Sequence, residues 1–119
     1  MAAENSDVLD EEQRRALLVL GSLFLRMGQY ARARKLFSAL LALKADDSWA
    51  RRGLAATCAA LGDGEAALKH IDQVLAMGSL PSRDAALYLV KARALWLCGR
   101  QDEARNAVHI WLDAGGSRS

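Results

Sequence analysis

The residues with the clearest link to chemistry form a glycine-rich stretch in the middle of the chain. Residues 62–67, Gly-Asp-Gly-Glu-Ala-Ala, match the relaxed dinucleotide-binding pattern G-x-G-x-x-A. That pattern holds a pyrophosphate only where it joins a strand to a helix in a βαβ unit. Here an apolar helical stretch precedes it, and a similar turn recurs elsewhere without the second glycine. We therefore predict a turn between two helices, and no nucleotide cofactor.

The histidines and cysteines do not form a metal or nucleophilic site. His70 and His109 have no partners at the spacing that metal ligands need. Cys58 and Cys98 are single thiols in apolar helical stretches, which predicts that both pack in the core. No metal site is expected.

Two pairs of neighbouring carboxylates are the remaining candidates for acid–base chemistry. Asp46-Asp47 and Asp102-Glu103 both stand at predicted helix starts, where negative charge complements the helix dipole. The sequence shows no nucleophile–base pair and no oxyanion turn. We predict that the protein is not an enzyme.

The composition favours a helical protein. Ala and Leu supply 43 of the 119 residues, whereas Val, Ile and Thr together supply eight. A pleated sheet needs more β-branched residues than this, and the length corresponds to one domain. Arg26 and Lys44 interrupt the longest apolar stretches, so no membrane insertion is expected. Unclustered cysteines and an acidic N-terminus without a signal layout favour a cytoplasmic location.

The charge distribution is uneven along the chain. The first twelve residues carry −5, so the remainder carries +7, and Arg outnumbers Lys twelve to four. A nucleic-acid interface needs these arginines on one face, but they are scattered along the sequence. We therefore expect no nucleic-acid partner, and arginines that pair with carboxylates of a protein partner.

Internal repetition is the strongest pattern in the sequence. Gly28, Gly62 and Gly99 are 34 and then 37 residues apart, and each follows an apolar helical stretch. A glycine at a helix C-terminus tolerates a positive φ. Around each glycine the small and large residues recur at fixed offsets: Gly21, Ala55 and Ala92 before it, and Ala33, Ala67, Ala104, Phe37, Ile71 and Val108 after it. Each unit is thus predicted to be a helix–turn–helix that stacks on its neighbours.

This pattern resembles the tetratricopeptide repeat, whose usual period is 34 residues. The resemblance implies an all-α fold of three helix–turn–helix repeats that form a short right-handed superhelix with a concave groove. We predict an acidic, flexible N-terminus over 1–8, one domain over 9–114, and a flexible tail over 115–119. The repeats would span about 14–47, 48–81 and 85–114, and the helices about 9–27, 30–44, 47–61, 65–77, 82–98 and 101–114.

The groove positions of this repeat class imply a set of partner-binding residues. Apolar residues form its predicted floor, and Trp and Arg, which are enriched in binding hot spots, stand around it. For Trp49 and Trp96 the alternative is a place in the core. The groove set is Arg15, Leu18, Ser22, Leu25, Trp49, Arg52, Ala56, Ala59, Ala86, Leu89, Arg93 and Trp96. Trp111 and Leu112 on the last helix are a possible second contact.

Three stretches carry a resemblance to a narrower family. These are residues 13–21 (QRRALLVLG), Met27-Gly28, and residues 36–43 (LFSALLAL). They resemble the YscY (SctY) type of type III secretion chaperone. The resemblance implies a cytoplasmic virulence-associated chaperone that forms a heterodimer with a small secreted protein of the YscX (SctX) type. It also implies docking on the cytosolic domain of the export-gate protein. A needle-subunit chaperone of the same system and a generic repeat scaffold are the alternatives.

Overall fold

Six α-helices occupy residues 9–78 and 85–114, the ranges that the computed structural model describes, and no strand occurs within them. Apart from the start of the fifth helix, which borders residues outside these ranges, each helix end lies within two residues of its predicted position, so the all-α prediction is confirmed. The helices are α1 (Glu11–Arg26), α2 (Tyr30–Leu43), α3 (Ser48–Ala60), α4 (Gly64–Leu75), α5 (Ala85–Leu97) and α6 (Gln101–Asp113).

Several sequence-based expectations fall outside the described residues. These are the flexible ends over 1–8 and 115–119, and the start of the fifth helix, which is predicted at about residue 82. The second glycine spacing is three residues longer than the first, which predicts a loop insertion over 77–82, and most of that segment is likewise outside the described residues.

Side-chain caps and left-handed glycines set the helix ends. Asp10 and Gln13 form a reciprocal capping box at the start of α1. Asp63 caps α4, where its Oδ1 accepts a hydrogen bond from the Ala66 N–H at 3.1 Å. Gly28, Gly62 and Gly99 have φ of +76°, +86° and +76°, so the repeated glycines occupy the conformation that their spacing predicts.

Contacts divide the described chain into two compact units, one up to Leu54 and one from Ala55 onwards, with the boundary inside α3. The sequence predicts one domain over 9–114, and that statement stays a prediction.

The core of the first unit is built around one aromatic ring. Phe37 on α2 is fully buried, and Leu40 and Ala33 of the same helix are buried beside it. A Cβ atom on Gly21 of α1 would lie 2.7 Å from the Phe37 ring, and one on Gly53 of α3 would lie 2.5 Å from it. These distances are too short for any side chain, so the two glycines make room for the ring.

In the second unit, α5 packs against both α4 and α6. Ile71, Val74 and Leu95 are its largest fully buried apolar side chains. A Cβ atom on Gly64 would lie 2.7 Å from the Ala94 carbonyl oxygen, so glycine at this position lets α4 approach the α5 backbone. Cys58 is buried as predicted, whereas Cys98, which was also predicted to pack in the core, is half-buried.

Candidate functional site

The first unit contains an open cleft of about 910 Å³. It is formed by one face of α1, the turn between α2 and α3, and the first residues of α3. Four of the residues predicted for the partner-binding groove line this cleft together, namely Arg15, Leu18, Ser22 and Trp49. The other lining residues are Glu11, Arg14, Val19, Leu23, Arg26, Phe37, Lys44, Asp46, Asp47 and Ser48.

The cleft has an apolar strip along α1. Val19 and Leu23 are exposed there, Leu18 is half-buried, and Phe37 closes the floor. Val19 and Leu23 were not among the predicted groove residues. The signal that could have identified them is their spacing of four from Arg15 and from each other, which places them on one face of α1.

Trp49 lies on the surface of the first unit and not in its core. Its exposed fraction is 62%, which excludes the alternative of a core tryptophan. The Arg52 guanidinium stands over the indole at 4.7 Å from the ring centroid, a cation–π geometry. Arg52 and Leu25 were predicted to line the groove, but both are half-buried and outside the lining of this cleft.

A charged network fixes one end of the cleft. Asp47 is 3% exposed, and its Oδ1 accepts a hydrogen bond from the Ala50 N–H at 3.1 Å, which caps α3. Arg14 Nη1 donates to Asp47 Oδ2 at 3.0 Å, and Nη2 donates to Glu11. The hydrogen bonds with Asp47 and then Glu11 raise the pKa of Arg14 above its ordinary value. The network joins the start of α1 to the start of α3.

In the second unit, one face of α5 carries the predicted residues Ala86, Leu89, Arg93 and Trp96. All four are exposed, and Trp96 reaches 58%, so it is not a core residue. Their spacing of three and four residues places them on the same side of the helix.

Ala59 was predicted to line the groove, but this prediction is wrong because Ala59 is only 1% exposed. Ala55, Thr57 and Cys58 beside it are also buried, so this half of α3 is enclosed on several sides and Ala59 has no accessible surface. Ala56 is half-buried.

The predicted second contact lies at the end of α6. Leu112 is exposed there, and Trp111 is half-buried. Ile110 is also exposed on this helix, so the surface is apolar at its C-terminal end.

The glycine-rich stretch and the Asp102-Glu103 pair, which the sequence offered as candidates for chemistry, have structural roles. Residues 62–67 form the turn and first residues of α4. Arg100 donates from Nε and Nη2 to the Glu103 carboxylate at 2.7 Å each, and Arg105 donates to Asp102 at 3.3 Å. The hydrogen bonds from Arg100 hold the pKa of Glu103 below its ordinary value.

Among residues 9–78 and 85–114, no group of three or more His, Cys, Asp or Glu side chains is arranged to hold a metal ion. No helix within these ranges has both the length and the apolar character needed to cross a membrane.

Comparison with known proteins identifies the repeat class. Residues 24–80 match a family model described as a tetratricopeptide repeat, and residues 85–109 match a second model of the same description. No curated protein matches the chain. Among solved structures, it is similar to PcrH in complex with the chaperone-binding region of PopB, with a TM-score of 0.77 and 23% identity. That match covers 93% of this chain and 87% of PcrH. The chain therefore has an all-α fold built from tetratricopeptide-type helix–turn–helix repeats.

Proposed function

We propose that the protein is a non-enzymatic chaperone that binds an apolar segment of a small partner protein. The observation that carries this proposal is the exposed Trp49 at the edge of an open cleft. A tryptophan costs free energy when it faces water, and its large surface gives a strong contact when a partner covers it. Val19 and Leu23 extend the same apolar surface along α1.

The arrangement around Trp49 suits a binding surface better than a catalytic one. Arg52 stacks on the indole and restrains its orientation, so less side-chain freedom is lost when a partner binds. Apolar residues flanked by charged ones at the rim are the usual anatomy of a protein interface.

The fold likeness supports the same class of function. PcrH was solved with the chaperone-binding region of PopB, and the two folds agree over 93% of this chain. By analogy, we propose that this chain holds a short segment of its partner in a groove, of which Arg15, Leu18, Ser22 and Trp49 form the first part. In the second unit, the exposed Leu89, Arg93 and Trp96 of α5 are proposed as a further contact surface for the partner.

We further propose a specific partner and the site to which it is delivered. The resemblance of residues 13–21 and 36–43 to YscY-type chaperones supports a cytoplasmic heterodimer with a YscX-like secreted protein, and delivery of that protein to the export gate of type III secretion.

Co-expression with named partners tests the proposal. The full chain is produced with the YscX-like protein of its own system and, separately, with the needle subunit. We expect the YscX-like protein to co-elute in a stoichiometric complex and to raise the melting temperature of the chain as its concentration increases. Co-elution with the needle subunit alone would support the alternative chaperone assignment. A chain that binds neither protein and is monomeric and stable alone would favour a generic scaffold.

Paired variants locate the contact in the first unit. Trp49→Ala should weaken partner binding by about 30- to 1,000-fold in calorimetric titration, as for a buried interface tryptophan. Arg34→Ala, an exposed residue of α2 outside the cleft, is the control and should bind normally.

A further inference from the structure

The charges that line the cleft of the first unit are divided unevenly between its ends. α1 runs along the cleft from Glu11 to Arg26, and α2 returns in the opposite direction, so the α2–α3 turn lies beside the start of α1. Three cations and three carboxylates meet at that end, namely Glu11, Arg14, Arg15, Lys44, Asp46 and Asp47. At the other end, Arg26 is the one charged residue of the lining.

At the first end, most of the charges already have partners. Arg14 is bound to both Asp47 and Glu11, and the Arg15 Nε atom lies 3.7 Å from a Glu11 carboxylate oxygen. Lys44 stands two residues from Asp46 in the same turn, where the opposite charges offset each other. This end therefore presents little net charge to a bound segment.

Arg26 stands in a different environment. Residues 13–45 contain seven Lys and Arg but no Asp or Glu, so neither the body of α1 nor α2 supplies an acidic partner. Arg26 forms no ion pair or hydrogen bond with another side chain in the described part of the chain. The nearest charges of α2 in the sequence, Arg32 and Arg34, are also basic and exposed. It stands in the last turn of α1, where a positive charge interacts favourably with the helix dipole.

On the basis of the proposed function, we infer that the segment bound in this cleft is amphipathic and carries an acidic side chain that pairs with Arg26. Its apolar side chains contact Leu18, Leu23 and Trp49. Arg26 stands eleven positions after Arg15 on α1, which corresponds to about 16 Å along the helix. The acidic group of the partner therefore lies at the α1–α2 end, and a large apolar side chain lies at the Trp49 end.

Binding of the segment buries the surroundings of Arg26, and this burial determines how much more tightly an acidic side chain binds there than a neutral one. An ion pair in open solvent contributes little, but the bound segment removes water from the cleft and thereby strengthens the pairing with Arg26. A carboxylate at this position should bind roughly three- to tenfold more tightly than the neutral amide, and a cation should bind more weakly than either.

Three synthetic peptides and the full chain test this inference. The peptides are acetylated and amidated amphipathic 15-residue helices with one leucine face, identical except for a single Glu, Gln or Lys near one end. Blocked termini ensure that the carboxylate is a side chain. Dissociation constants are measured by calorimetry at low and high salt for the wild type, Arg26→Gln, Arg26→Lys and Arg15→Gln.

We expect the order Glu, Gln, Lys from tightest to weakest in the wild type, with differences that shrink at high salt. Arg26→Gln should bind the Glu and Gln peptides equally, and Arg26→Lys should keep the preference. Arg15→Gln is the matched control from the other end of α1, and it should also keep the preference. Circular dichroism verifies that each variant is folded.

Different results would contradict the proposed chaperone function and the acidic preference at Arg26. If none of the three peptides binds, the apolar cleft is not a segment-binding site and the proposed function loses its main support. If all three bind equally, the acidic preference is wrong while the apolar contact stands. A preference that survives Arg26→Gln but disappears in Arg15→Gln would overturn the assignment to Arg26.

Discussion

The ring of Phe37 lies 2.7 Å from the point that a Cβ atom on Gly21 would occupy. The same ring lies 2.5 Å from the corresponding point on Gly53, so glycines from α1 and α3 both face it. Phe37 is fully buried, so its ring is held in close contact with the residues around it. The close packing of the first unit, and with it the floor of the cleft, depends on these three residues.

Gly53→Ala should therefore destabilise the protein. A methyl group at this position overpacks the core, at a cost of about 1–3 kcal/mol, while the higher helix propensity of alanine offsets up to about 1 kcal/mol. We expect a net loss of about 1–2 kcal/mol in the free energy of unfolding, measured by urea denaturation.

The control is the same substitution in a Phe37→Leu background. Leucine is shorter than phenylalanine, so the added methyl no longer meets a ring, and only the gain in helix propensity remains. Gly53→Ala should then be neutral or stabilising by up to about 1 kcal/mol. An equal loss in both backgrounds would show that the ring is not the cause.

Much of the fold follows from sequence spacing alone. The recurring Gly28, Gly62 and Gly99 mark the three turns because each must adopt a positive φ. The small Gly21 and large Phe37 were also recognisable as packing positions. Gly53 was not, because it lies two residues before Ala55, the position that the repeat marks as small. Its role depends on where the Phe37 ring points, which spacing does not specify.

The candidate site was only partly predictable for a related reason. The positions of Leu18 and Trp49 within the repeat predict that both line the groove. Repeat position does not indicate how wide a strip of α1 is exposed. Val19 and Leu23 were missed for this reason, since no described helix covers that side of α1. Ala59 was assigned to the surface because the register does not reveal that its half of α3 is enclosed.

Asp47→Ala should be one of the more damaging single substitutions of a polar residue in the first unit. It removes the cap of α3 and leaves the part-buried Arg14 without its main partner. The cap contributes about 1 kcal/mol and the buried ion pair more, so we expect a loss of about 2–3 kcal/mol by urea denaturation.

Asp63→Ala provides the matched control, because Asp63 makes the same capping hydrogen bond at the start of α4 and is exposed. It should lose only about 1 kcal/mol. Asp47→Asn keeps the capping oxygen but not the charge, and its loss should lie between those of the two alanine variants. Equal losses for Asp47→Ala and Asp63→Ala would mean that Arg14 contributes nothing to stability.

Glu103 should titrate below the usual range of a glutamate in the folded protein. The hydrogen bonds from Arg100 stabilise its charged form and lower its pKa. Because the folded pKa is lowered, the pair favours folding above the ordinary glutamate pKa, and this contribution disappears as the pH falls through the folded-state pKa. Carbon-detected NMR titration of the carboxyl group measures it directly.

Arg100→Gln should return the titration of Glu103 to the ordinary range, and high salt should reduce the wild-type shift because both groups are exposed. A midpoint that does not move in Arg100→Gln would contradict the assigned cause.

Trp96→Ala tests whether the partner also contacts the second unit. Trp96 is 58% exposed on the α5 face that carries Leu89 and Arg93, so its truncation should leave the fold and its stability nearly unchanged. If the partner covers it, affinity should fall by about 30- to 1,000-fold in calorimetric titration. Arg93→Ala should have a smaller effect that decreases with salt, as for a charged residue at an interface rim.

Leu97→Ala is the matched control for Trp96→Ala, because Leu97 is an exposed apolar residue of the same helix, one position further along. Adjacent residues of a helix point about 100° apart, so a partner seated on the Trp96 face should tolerate this substitution. Equal weakening by both variants would indicate a general loss of apolar surface. Normal binding by a folded Trp96→Ala protein, together with weakened binding by Trp49→Ala, would confine the partner to the first unit. Unfolding of Trp96→Ala would instead mean that this ring stabilises the fold despite its exposure.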